Sequence, residues 1–124
     1  MSENKQQVID ASEVLSHHDG EGTLAIHVAE VCSFTDFLVI TTARSTAHLR
    51  GLHRRLEEHL AKRDIRPLNS HKRSDGNGWT LLDYGFMVVH LMTEEMRAFY
   101  ELERLWYNGN IIYDDRSGQD STSI

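Results

Sequence analysis

One cysteine, Cys32, is all this chain contains, so no disulfide can close within it and burial and hydrogen bonding must hold the fold. Proline is as scarce. Pro67 stands alone, and backbone amides everywhere else remain free to enter helices and ladders. No apolar run is long enough to span a bilayer and no signal-peptide pattern opens the chain, so the simplest expectation is a cytoplasmic protein without membrane contact. Metal-ligand spacings are missing too, with neither C-x-x-C nor H-x-x-x-H present. His48, His53 and His59 share a predicted helix, but spacings of five and six residues put them on different faces. Phosphoryl-transfer chemistry on paired metal ions needs clustered carboxylates and a glycine-rich loop, yet no D-x-D occurs and Arg44-Ser45 lacks the glycine. Asp36 and Asp83 are therefore not read as catalytic. The expectation is a non-enzyme with no cofactor and no bound metal.

What remains is an ordinary globular composition. The 124 residues are 40% hydrophobic and 26% charged, enough for one domain burying roughly two-thirds of its unfolded surface. The net charge of −6 is unevenly spread. Between Arg44 and Arg73 nine Lys and Arg face only Glu57, Glu58 and Asp64, so that segment is +6 and the remainder −12. A strongly acidic remainder suits a basic protein partner. The basic segment reads either as a solvated helix face or as a contact for RNA through Arg54, Arg55, Lys72 and Arg73.

Along the chain, residues 1–6 are polar and predict a frayed end. Val8, Ala11 and Leu15 mark a helical stripe, with Gly20 just past its stop. Thr23 to Val28 alternates as a strand, and Phe37 to Thr42 is a buried-type strand of β-branched residues. Ser45 can cap a helix whose stripe is Leu49, Leu52, Leu56 and Leu60. A short extended piece at Ile65 to Leu68 would complete a parallel strand–helix–strand crossover, with Pro67 confining it to an edge or bulge. Asn69 to Gly78 is a polar loop.

The most informative stretch runs from Trp79 to Trp106. Trp79, Leu81 and Asp83 alternate with Thr80, Leu82 and Tyr84, Gly85 permits a tight reversal, and Phe86 to Met92 returns as an apolar strand. Thr93 can cap a following helix with Glu94 and Glu95 in its first turn. Met96, Phe99, Leu102, Leu105 and Trp106 form its apolar stripe. Asn108-Gly109-Asn110 then breaks the helix, Ile111-Ile112-Tyr113 is a short apolar piece, and Asp114 onward reads as an acidic, disordered tail. The domain is accordingly assigned to residues 1–107 and an extension to 108–124. His90, on an apolar strand, reads as a hydrogen-bonded core histidine, and Cys32 as a small buried hydrophobe.

Trp79-x-Leu81-Leu82-Asp83-Tyr84-Gly85, Val88-Val89-His90 and Arg97-x-Phe99-Tyr100-x-Leu102-Glu103-x-Leu105-Trp106 together resemble the signature of the Iojap family of ribosomal silencing factors. Upstream, Thr35-Asp36-Phe37-Leu38-Val39-Ile40 and Ser45-Thr46-Ala47-His48 are similar to two further family motifs, so the resemblance covers roughly residues 8 to 107. His27 replaces the family's usual Asp, and the loop before Trp79 departs from the family pattern. The resemblance implies an α/β fold, a mixed sheet of about five strands with three helices in a nucleotidyltransferase-like topology. It implies docking on the large ribosomal subunit at ribosomal protein L-fourteen, which would keep the small subunit from joining. It also implies a tendency to homodimerise, which the last helix and Ile111-Ile112-Tyr113 could serve.

Trp79, Leu81, Asp83, Tyr84, Tyr100 and Trp106 are the candidate partner-binding residues, because aromatics beside an acid suit a docking surface for a basic protein. Core packing is the alternative for each aromatic and weighs most for Trp106. Trp79, beside a polar loop, is expected to be partly exposed, so that Trp79→Ala would abolish binding while moving the thermal midpoint only a few degrees.

Overall fold

The computed structural model describes residues 2–68, 78–100 and 109–115. Helix α1 (Ser2–His17) is followed by β1 (Glu21–His27), β2 (Phe37–Ala43) and α2 (Thr46–Ala61). Then come β3 (Trp79–Asp83), β4 (Met87–Thr93), α3 (Glu94–Tyr100) and β5 (Asn110–Asp114). The strands form one mixed sheet in the order β3-β4-β2-β1-β5. Only β2 and β4 run parallel, and every other neighbouring pair is antiparallel. Three helices on a five-stranded mixed sheet agree with the expected fold class.

Several local expectations need correction. Helix α1 starts at Ser2, inside the stretch expected to fray, and side-chain bonds from just beyond α2 hold its second and third turns. Arg63, just beyond α2, donates to Gln7 Oε1 and Asp10 Oδ2, each at 2.7 Å. That guanidinium, with a second bond from Gln6, also draws the Asp10 carboxyl below its ordinary pKa. At the other end of α1, Asp19 takes the left-handed conformation (φ 70°) and Gly20 N–H returns to Leu15 O at 2.8 Å. Gly20 is needed for space. A Cβ there would stand 2.6 Å from Thr41 Oγ1 and 2.7 Å from Leu15 O.

Ile65 to Leu68 is not a strand. Pro67 has no amide hydrogen to give, and the segment makes one bond to the sheet, Leu68 N–H to Asp83 O at 2.8 Å. The parallel partner of β2 is β4, reached through α2 and then β3. The fifth strand is β5, and it includes Asp114, which composition alone assigned to the tail. Pairing with β1 supplies what that short segment lacks by itself, with Ala25 opposite Tyr113 and Leu24 opposite Asp114. The region beginning at residue 108 thus contributes the sheet's second edge. Ile112 and Tyr113 pack against the core, and Ile111 faces outward.

The sheet buries both faces. On one, α1 and α2 cover Val39, Val89, Leu91 and Leu82 with the expected stripe of Leu49, Leu52, Leu56 and Leu60. Ser45 caps α2 by accepting from His48 N–H at 3.0 Å. His48 returns the favour through Nδ1, which accepts from Arg44 N–H at 2.9 Å. The other face gathers Leu24, Ile26, Leu38, Ile40, Val88 and Met92, with Met96 of α3 against them. Arg97 fastens α3 to this sheet. Its Nη1 donates to Gly22 O at 2.7 Å and to Thr42 Oγ1 at 2.9 Å.

Candidate functional site

The β3–β4 hairpin is shaped by its turn. Gly85 sits at φ 88°, which a side chain would resist, and its N–H donates to Asp83 Oδ1 at 2.9 Å. Tyr84 N–H closes the reversal on Met87 O at 2.8 Å. This turn sets the register: Trp79 lies opposite Met92 and Leu81 opposite His90.

Register then decides what β3 offers. Thr80 and Leu82 are buried beneath the helices, while Trp79, Leu81 and Asp83 are half-buried on the opposite face. Within β3, Gly78 O just before the strand accepts from Thr93 of β4, whereas Asp83 O accepts from Leu68 outside the sheet. Backbone groups alternate along a strand, so the N–H and C=O of Trp79, Leu81 and Asp83 point away from the sheet. Side chains and backbone of the same three residues therefore line one outer corner. Asp83 lies at one end of this corner, and exposed Glu94 and Glu95 follow directly on the β4 residues opposite Trp79.

Trp79 is bound into this face more firmly than its neighbourhood in the sequence suggests. Its indole Nε1–H donates to His90 Nδ1 at 3.1 Å, and the two rings lie 5.8 Å apart between centroids, tilted by 41°. An indole N–H can only donate, so His90 Nδ1 carries a lone pair and the neutral ring holds its proton on Nε2. Burial pushes the His90 pKa down to about 4. Histidine in the unfolded chain titrates near 6.5, so the unfolded state takes up the proton first as pH falls. Stability from this site is complete above pH ~6.5 and is lost as pH falls towards 4. The loss should approach about 3 kcal/mol. Urea unfolding at pH 7 and pH 4.5 measures it, and His90→Asn, which keeps an acceptor near Nδ1, should flatten the difference. An unchanged slope in that variant would assign the acid sensitivity to other groups.

The remaining candidates divide. Tyr84 is turned to the helix side and is 5% exposed, so it does not share the face of Trp79 and is corrected from a docking residue to a core residue. The cause is strand alternation across Asp83. Tyr100 ends α3, and its side chain, like Trp106, Lys72 and Arg73, lies outside the described residues. Arg54 and Arg55 are exposed on α2. His90 was legible as a bonded core histidine, but its partner was not. Counting back from the Gly85 turn would have placed Trp79 diagonally across from it. Asp36 is exposed at the start of β2, and Asp83 is held by the hairpin turn. Among the described residues, no group of three or more His, Cys, Asp or Glu is arranged to hold a metal, and no helix is long and apolar enough to cross a membrane.

Comparison with known proteins bears on the family of the chain. A family model described as ribosomal silencing factor during starvation matches residues 1–123. A ribosomal silencing factor of Treponema pallidum is 35% identical over 96 residues, spanning 77% of this chain and 85% of that protein. A mouse protein named for mitochondrial assembly of the ribosomal large subunit is 33% identical over 96 residues, 75% of this chain but 42% of its own length. Among solved structures, a Chromobacterium violaceum protein superposes with a TM-score of 0.74 at 22% identity, covering 82% of this chain and 84% of the other.

Proposed function

The chain belongs to the RsfS family of ribosomal silencing factors, and from that premise we propose that it docks on the large ribosomal subunit and keeps the small subunit from joining. The docking partner in this reading is ribosomal protein L-fourteen. The observation that carries it is the corner of β3, an edge strand on which Trp79, Leu81 and Asp83 present half-buried side chains on one face. An aromatic and an aliphatic anchor supply apolar area, and the flanking carboxylates of Asp83, Glu94 and Glu95 suit a basic protein surface. No reaction is needed. A docked domain of ordinary interface size blocks joining by occupying the space the other subunit must enter. The same reading makes the protein a translational repressor acting in the cytoplasm, with no cofactor.

The test is sedimentation of separated subunits with and without added protein. Co-migration with the large subunit and a fall in joined ribosomes are expected. Joining at undiminished yield with the protein bound would sink the steric account. A second measurement separates protein docking from RNA contact. Reversing Arg54 and Arg55 to Glu should change subunit affinity less than about threefold, because exposed charges away from the docking corner contribute little. Binding should also weaken only moderately with salt, since part of the energy is apolar burial. A loss of tenfold or more, with a steep salt dependence, would instead favour an RNA-binding assembly factor acting through α2.

A further inference from the structure

The loop from β1 to β2 shows water two large apolar side chains. Phe34 is 66% exposed and Val31 45%. Scattered singly, such residues need no explanation, but these stand close together on a loop that is tied down. Val28 N–H closes its neck on Asp36 O at 2.8 Å, and Val31 N–H turns back to Val28 O at 3.0 Å. Between the exposed pair and the ends of the loop lie residues that face inward: Cys32 packs on the sheet and Thr35 is buried. Val31 and Phe34 are thus held outward by a loop whose other side is fixed to the fold.

This loop meets the β3–β4 hairpin at its turn. Thr35 Oγ1 donates to Gly85 O at 3.0 Å, and Gly85 N–H donates to Asp83 Oδ1 at 2.9 Å. One glycine therefore separates the loop of Phe34 from the end of the β3 corner. Phe37 N–H adds a bond to Phe86 O at 3.0 Å, which fixes the approach. Cys32 packs on the same cluster as Trp79 and Leu81, so loop and corner border one face of the sheet.

Chemistry narrows what can cover the loop. Residues 28–36 include Glu30 and Asp36, both exposed, and neither lysine nor arginine. Carboxylates beside an exposed phenyl ring repel a phosphate backbone, which disfavours RNA stacked on Phe34. A symmetric contact of two copies through this loop would bring the carboxylates of both towards each other. A basic protein meets both demands, since its cations pair with Glu30 and Asp36 while its apolar surface covers Phe34. We propose that the β1–β2 loop is the second half of the docking surface, with Phe34 an anchor in the same basic protein that covers Trp79 and Leu81. The inference rests on the docking reading above. Because the loop is already fixed, binding orders little that was free, which favours an anchor at this place.

The experiment joins photocrosslinking to affinity measurement on purified large subunits. The full chain carrying Phe34→p-benzoylphenylalanine keeps an aromatic at the exposed position. Irradiated with subunits, it should cross-link to one ribosomal protein rich in lysine and arginine, identified by mass spectrometry. Cross-linking to RNA alone, or to a second copy of the chain, would overturn the proposal. Phe34→Ser should weaken subunit affinity about tenfold or more, the mark of an anchor rather than a rim contact. Its thermal midpoint should stay within about 3 °C of the unaltered chain, because the side chain gives up little burial. A fall of about 10 °C or more would make Phe34 a packing residue and end the proposal. Ile111→Ser, which removes an exposed apolar side chain on the far edge strand, should leave affinity unchanged. An equal loss in both serine variants would show a general effect of lost apolar surface and also end it. Full affinity in Phe34→Ser beside lost affinity in Trp79→Ala would remove the loop and leave the docking reading standing. No binding by the unaltered chain would end both.

Discussion

Replacing Trp79 by alanine should weaken binding to the large subunit at least thirtyfold, the usual effect of truncating an aromatic anchor by about 2 kcal/mol or more. It should also destabilise the protein, contrary to what exposure beside a polar loop suggests. The indole packs on the Leu24–Met92 side of the core, and its N–H is the donor to a buried histidine. Truncation leaves His90 Nδ1 buried without that donor and opens a gap beside Leu81. A loss of about 2–3 kcal/mol is expected, less than for a fully buried tryptophan because Trp79 is only half-buried. The two effects can be separated. Leu81→Ala, on the same face but without a hydrogen bond to lose, should weaken binding with a smaller change in stability. Trp79→Phe should retain most of the docking area while losing the bond to His90. Binding by isothermal calorimetry and unfolding by urea, measured on all three, decide the matter. Full affinity in folded Trp79→Ala would remove the corner of β3 from the docking surface.

Arg97→Met should lower the free energy of unfolding by about 3 kcal/mol, which for a domain of this size moves the thermal midpoint by about 10 °C. Arg97 is 9% exposed and crosses from α3 to two strands. Its guanidinium serves Gly22 O at the irregular start of β1 and Thr42 Oγ1 on β2. Methionine keeps much of the stem's packing but supplies no donor, so both acceptors lose a charge-assisted bond inside the fold. Arg97→Lys should recover part of the loss through a single ammonium. Hydrogen exchange would locate the damage, with amides of residues 21–24 exchanging faster than those of β4. A change below about 1 kcal/mol would mean that the strap is dispensable.

Signals in this chain differ in where they reside. Periodicity and turn chemistry are local, and they were legible. The Leu49–Leu60 stripe became the buried face of α2, Ser45 became its cap, and Gly85 took positive φ in the hairpin. The strand alternation that put Trp79, Leu81 and Asp83 on one face was likewise legible, because side-chain direction in a strand depends on parity alone. The motif spacing was specific enough to indicate the family, which the match over residues 1–123 establishes.

Partnership between distant segments was not legible. Nothing local tells Ile65 to Leu68 that it will make a single bond to β3, or tells Asn110 to Asp114 that β1 is waiting for it. A short strand gains its hydrogen bonds and its burial from another strand, so its identity belongs to the pair. The same holds for side chains at the site. The sequence by itself determined which residues β3 could show to a partner. Only the tertiary structure decided that Trp79 is tethered to His90 and that Tyr84 faces the helices. Those assignments depend on what lies across the sheet and beneath it, and burial there sets the histidine's protonation.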